Sequence, residues 1–168
     1  MAPVKTLALL AARLFLGFAF LVFGWTKVSG DPVFEGKTFS QFFPQFVQNS
    51  LQGHPFHFWR PVLQVFVEPH AGLFAAAVAW GEFLLGASLL LGALVSFSAV
   101  GGILLMASIQ FCSSPFAGER PLSERVGGLL ESGAVALVLL LLAVFGAGRP
   151  VGVDAWLFRP KEPPKPVV

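Results

Sequence analysis

The sequence predicts an all-α integral membrane protein, a four-helix bundle with a long, partly amphipathic-helical loop between its first and second helices. Three observations predict it. Hydrophobic residues make up 55% of the 168 residues and charged residues only 12%, about half the charge of an ordinary soluble domain. Mean hydropathy is +0.76. Aromatic area comes from 19 Phe with no Tyr, so ring surface is supplied without hydroxyl groups that need partners. Water would have to cover more apolar surface than one domain of this length normally exposes, and lipid is the better solvent.

The first apolar segment runs from about Leu7 to Val28 behind Lys5, interrupted by Arg13. Lys5 and the Val28-Ser29-Gly30 sequence also permit a cleaved signal peptide. Arg13, Gly17, Gly24 and Lys27 suit a retained helix better. Residues 29–71 are the longest polar interval, and their Pro and Gly residues rule out one long helix. Within this interval Phe39, Phe42, Phe43, Phe46 and Val47 recur at helical spacing opposite Gln41, Gln45 and Gln48. Val62, Val65, Phe66 and Pro69 repeat the pattern after Pro61. Short amphipathic pieces lying along headgroups, or packed across the mouth of the bundle, account for both. The second span is expected from about Gly72 to Leu94 and the third from Ser98 to Phe111, a tight antiparallel hairpin. The fourth runs from about Val126 to Phe145 and has the most continuous apolar core. Residues 1–160 thus form one membrane domain, and the Pro- and Lys-rich tail 161–168 is expected to be disordered. Four spans put both termini on one side, and Lys5 with the basic tail places that side in the cytoplasm.

The formal charge of +2, without a basic run, gives nothing to track a phosphate backbone, so nucleic acid is not an expected partner. Cys112 is the single cysteine, which excludes an intramolecular disulfide, a CxxC pair and a cysteine-ligated cluster. His54, His57, Glu68 and His70 match no metal-ligand spacing, and Pro55 disfavours a helix presenting the first two together, so no metal is expected.

The ionisable residues inside the spans carry the functional signal. Arg13, Gly17, Phe20, Gly24 and Lys27 fall on one stripe of the first helix. Ala75, Ala79, Glu82, Gly86 and Ala93 share a face of the second. Gly101, Leu105, Ser108 and Cys112 do so on the third, and Gly127, Glu131, Ala134 and Val138 on the fourth. Small residues accompany each charge, and small residues mark helix–helix contact in membranes. Charges at the midplane cost about 3 kcal/mol on insertion scales, and two inward pairs, Arg13 with Glu82 and Lys27 with Glu131, are expected to offset this. Such pairs either fix helix register or line a ligand or proton pocket.

Arg13-Leu14-Phe15-Leu16-Gly17 leading to Phe23-Gly24-Trp25-Thr26-Lys27 resembles the opening of the DoxX/DoxD family of small four-helix membrane proteins. Gly81-Glu82-Phe83-Leu84-Leu85-Gly86 resembles that family's second helix, and Gly146-Ala147-Gly148-Arg149 followed by Asp154 its closing turn. The resemblance implies a bacterial or archaeal inner-membrane protein tied to quinone redox chemistry. The family's named activity is thiosulfate oxidation with quinone reduction, carried by a DoxD subunit with a DoxA partner. Quinone is then the implied cofactor, and the implied partner is a soluble oxidoreductase or other membrane subunits. On this reading Lys27 donates to a ligand oxygen, Glu82 and Glu131 manage protons or orient the cations, and Arg13 holds Glu82. Trp25 and His57 are candidates for a quinone site at headgroup level. A non-enzymatic assembly subunit of a larger complex is the competing reading. A small transporter is a third, and it would need a homodimer to make room for alternating access.

Overall fold

The structure, a computed structural model, describes residues 2–32, 34–53, 56–113, 122–145 and 152–157. His54, the loop from Gly118 to Pro121, the Gly146–Arg149 turn and the tail from Lys161 lie outside the described residues. Helix α1 spans Ala2–Ser29, α2 Phe39–Gly53, α3 Trp59–Val62, α4 Ala71–Leu91, α5 Val95–Ser113, α6 Leu122–Phe145 and α7 Val153–Leu157. Among the described residues, four stretches are long and apolar enough to cross a membrane: Thr6–Ser29, Trp59–Leu91, Val95–Cys112 and Val126–Phe145. The chain is a multi-pass, four-span helical membrane protein.

The second span starts earlier than the hydropathy pattern suggests. From α3 the chain continues through a π turn at Leu63–Val67 and a 3₁₀ turn at Glu68–His70 into α4. Pro69 is the cause: it has no N–H to donate, and a widened turn followed by a tightened one carries the helix past it. At 1.5 Å per residue this composite helix is roughly 50 Å long, well beyond the bilayer's hydrocarbon core of about 30 Å. Its first turns therefore stand beside α2, outside the core. There α2 packs across the bundle mouth, burying Phe39, Phe43 and Val47 against Leu63, Val67, Ala71, Ala75 and Ala79. Gln41, Gln45 and Gln48 face outward.

The backbones of α1 and α4 pack closest, antiparallel, and glycine permits the approach. A Cβ added at Gly24 would run into the Phe83 backbone nitrogen, and one at Gly86 into the Leu21 backbone nitrogen. No side chain fits at either position. This register puts Gly17 opposite Leu89 and Leu90 and Gly24 opposite Phe83, so Lys27 stands level with Glu82. The second apolar core, Leu16, Phe20, Leu85, Leu89, Val95, Ala99, Leu139 and Leu142, fills the other half of the bundle. Contacts between α1 and α6 are sparse, which leaves a cleft between them.

The expected stripes on α1 and α4 are the inward ones: Arg13, Gly17, Phe20, Gly24, Ala75, Ala79, Glu82 and Gly86 are buried and Lys27 half-buried, whereas Ala93 lies beyond α4 in the turn. Those on α5 and α6 are each rotated by about one residue. Gly101 and Gly127 are exposed, whereas Gly102 sits against Leu85 and Leu139, and α6 turns Val135, Leu139 and Leu142 inward.

Candidate functional site

The α1–α4 register decides which charges meet. Lys27 Nζ lies 2.5 Å from both Glu82 carboxylate oxygens, with side-chain exposures of 13% and 5%. This corrects both expected pairs. Arg13 is some 21 Å from Lys27 along the α1 axis, at the height of the α4–α5 turn, and cannot hold Glu82. Glu131 does not pair with Lys27, because Glu82 occupies it. The expected pairs assumed a second span beginning at Gly72, which would set Glu82 too far from Lys27 and closer to Arg13.

Lys27 has a second neighbour. Its ammonium lies 4.9 Å from the centroid of the Phe39 ring, so the first residue of α2 covers the pair with an electron-rich face. Two of the three ammonium donors serve Glu82, which leaves one N–H. The pair forms one wall of a cavity of about 250 Å³. Leu16, Ala19, Phe20 and Phe23 of α1 line it, with Met106 of α5 and Glu131, Ser132 and Val135 of α6. Gln110 fixes the α6 wall by donating to the Gly128 carbonyl at 3.0 Å and to the Ser132 hydroxyl. The arrangement gives an apolar slot between helices with one cationic donor and two carboxylates, suited to an amphiphile whose polar head has an acceptor.

Arg13 belongs to a second cluster at the opposite end. The Asp154 carboxylate accepts from the Leu94 N–H at 2.7 Å and the Val95 N–H at 3.0 Å, capping α5 from a distant part of the chain. Its own N–H donates to the Gly92 carbonyl at 2.9 Å. Gly92 and Leu94 have φ of +66° and +52°, the tight αL geometry that ends α4. The buried Arg13 lies within electrostatic reach of Asp154. Asp154 thus binds the α4–α5 turn.

Of the expected site residues, Lys27, Glu82 and Glu131 come together and Arg13, Trp25 and His57 stay apart from them. Trp25 points outward, its ring 6.0 Å from that of Phe83. His57 is exposed ahead of α3. Cys112 is half-buried in the loop-side core. Among the described residues no three His, Cys, Asp or Glu side chains gather as a metal site would need. The reading of the sequence missed Phe39, Gln110 and Ser132. Gln110 and Ser132 are polar letters within apolar runs, and that was the available signal.

A family model, DoxX, matches residues 8–114, more than half of the chain. No curated protein and no solved structure matches it. The matched stretch contains Arg13, Lys27 and Glu82 and ends before α6, so Glu131 falls outside it.

Proposed function

This chain belongs to the DoxX family of small membrane proteins, and from that premise we propose that it is a membrane subunit of quinone-linked electron transfer. It binds a quinone or lipid-like ligand in the cavity beside Lys27. One observation carries this reading: a lysine ammonium with an N–H to spare opens onto an apolar cavity inside the bundle. A quinone head needs apolar walls for its ring and a donor for its carbonyl, and Phe20, Phe23, Met106 and Lys27 supply them. A bound quinone supplies the two-electron acceptor. The chain's own residues bind and orient it: Lys27 donates to a ring oxygen, Glu82 holds Lys27 in place, and the apolar walls exclude water. The single cysteine provides no dithiol pair, so electrons come from a partner protein. On this reading the protein sits in the inner membrane of a bacterial or archaeal cell with its termini in the cytoplasm.

Purification in a mild detergent, followed by extraction and mass spectrometry of bound small molecules, tests the proposal. Stoichiometric quinone is expected in the wild type. It is expected to be lost in Lys27→Met and in Val135→Trp, which fills the cavity and leaves the ion pair intact. Stable co-purification with several membrane subunits and no small molecule would favour a structural assembly role instead.

A further inference from the structure

Glu131 is the cavity residue that the reading above does not use. It stands on the fourth span about 7 Å beyond the start of that span at Val126, on the wall that Gln110 fixes. Its side chain is exposed, and it has no hydrogen-bond or ion-pair partner among the described residues. A carboxylate at that depth is costly unless a donor reaches it. Lys27 is not that donor, since Glu82 engages it through both oxygens. Ser132 takes a hydrogen bond from Gln110, and Gln110 is further tied to Gly128. Ser132 and Gln110 therefore serve each other rather than Glu131. The cavity holds two carboxylates against one ammonium, with the excess acceptor on the wall opposite the Lys27 donor.

We propose that Glu131 sets the ligand class of this cavity: it accepts a hydrogen bond from a hydroxyl on the ligand's head, so the site prefers a hydroxyaromatic head over the corresponding carbonyl form. The inference rests on the cavity being a binding site and adds which head it selects. A hydroquinone meets both walls, one oxygen accepting from Lys27 and one hydroxyl donating to Glu131. The quinone of the same ring meets Lys27 alone and leaves Glu131 facing a carbonyl oxygen, a repulsive contact. A charge-assisted hydrogen bond gained on one form and missing on the other is worth about tenfold or more in affinity.

The test is equilibrium binding of tetramethyl-hydroquinone and tetramethyl-benzoquinone to the full chain in lipid nanodiscs, under anaerobic conditions. Wild type is expected to bind the hydroquinone at least tenfold more tightly. Glu131→Leu is expected to abolish that preference by weakening the hydroquinone and, with the repulsion relieved, strengthening the quinone. An apolar residue at an exposed position of a membrane helix does not threaten folding, and Glu131→Gln, which keeps one neutral acceptor, is expected to fall between. A preference that survives Glu131→Leu overturns this inference and leaves the cavity reading standing. Equal binding of both forms by the wild type does the same. Failure of both forms to bind folded wild-type protein overturns the cavity reading and this inference with it. A Glu131→Leu protein that changes oligomeric state with unaltered binding assigns Glu131 to a subunit contact and also overturns the inference.

Discussion

Removing one member of the Lys27–Glu82 pair is expected to cost far more than removing both. With exposures of 13% and 5%, the two charges are largely withdrawn from solvent. At an effective dielectric constant of about 20, charges roughly 4 Å apart attract by about 4 kcal/mol, and the loss of solvation takes up much of that gain. Lys27→Met leaves Glu82 buried against Gly24 and Phe83 without its counter-ion, a change that typically costs about 3–5 kcal/mol. For a chain of this length that corresponds to a fall in melting temperature of roughly 6–20 °C. The double variant Lys27→Met/Glu82→Met is expected to recover most of the loss, because two apolar side chains of similar volume refill the same space. Thermal unfolding of the four proteins of the cycle in one detergent, at one pH, provides the assay. The coupling energy, the two single losses less the loss of the double variant, is expected to exceed about 4 kcal/mol. Additive single changes, or single changes below about 1 kcal/mol, would refute the reasoning that the pair is buried and mutually dependent.

Gly24→Ala and Gly86→Ala are each expected to destabilise the bundle by about 1–3 kcal/mol or more through backbone overpacking. Gly101→Ala, with nothing within 4 Å of the new Cβ, is expected to be neutral or to stabilise by up to about 1 kcal/mol; thermal melts of the three proteins compare them. Asp154→Ala is expected to cost about 2 kcal/mol by uncapping α5, and hydrogen exchange is expected to rise first at Leu94 and Val95. Arg13→Met is expected to affect that same end of the bundle and leave any ligand at Lys27 in place, which a binding assay separates from a stability assay. Reporter fusions at each terminus are expected to show both ends in the cytoplasm, and a periplasmic signal from either would reverse the orientation.

The fold was legible because composition and segment length alone distinguish a membrane bundle from a soluble domain. The faces of α1 and α4 were legible too, because each carries charges and glycines at helical spacing and that combination has a single inward phase. On α5 and α6 the phase was not legible. Both are apolar nearly all round, and the adjacent glycines Gly101–Gly102 and Gly127–Gly128 offer two registers that periodicity cannot separate. On α5 the structure chose the second glycine, Gly102, whereas on α6 neither glycine meets a neighbour and Leu139 and Leu142 set the inward face. The partner of Glu82 was hidden for another reason. It depends on how far α1 slides along α4, which is set by Gly24 and Gly86 meeting the opposing backbone and by the helix continuing through Pro69. No local pattern encodes that offset. The reach of Asp154 to Leu94 and Val95 is likewise a long-range contact, one that only the tertiary arrangement reveals.

Which ionisable groups meet inside the bundle decides what the cavity can hold. A hydrophobic carbodiimide, which activates carboxyl groups within membranes and lets an adjacent amine displace the urea to form an amide, reads this directly when followed by peptide mass spectrometry. The expected products are an amide joining Lys27 to Glu82 and a simple N-acylurea adduct on Glu131. An amide between Lys27 and Glu131, with the adduct on Glu82, would contradict the arrangement.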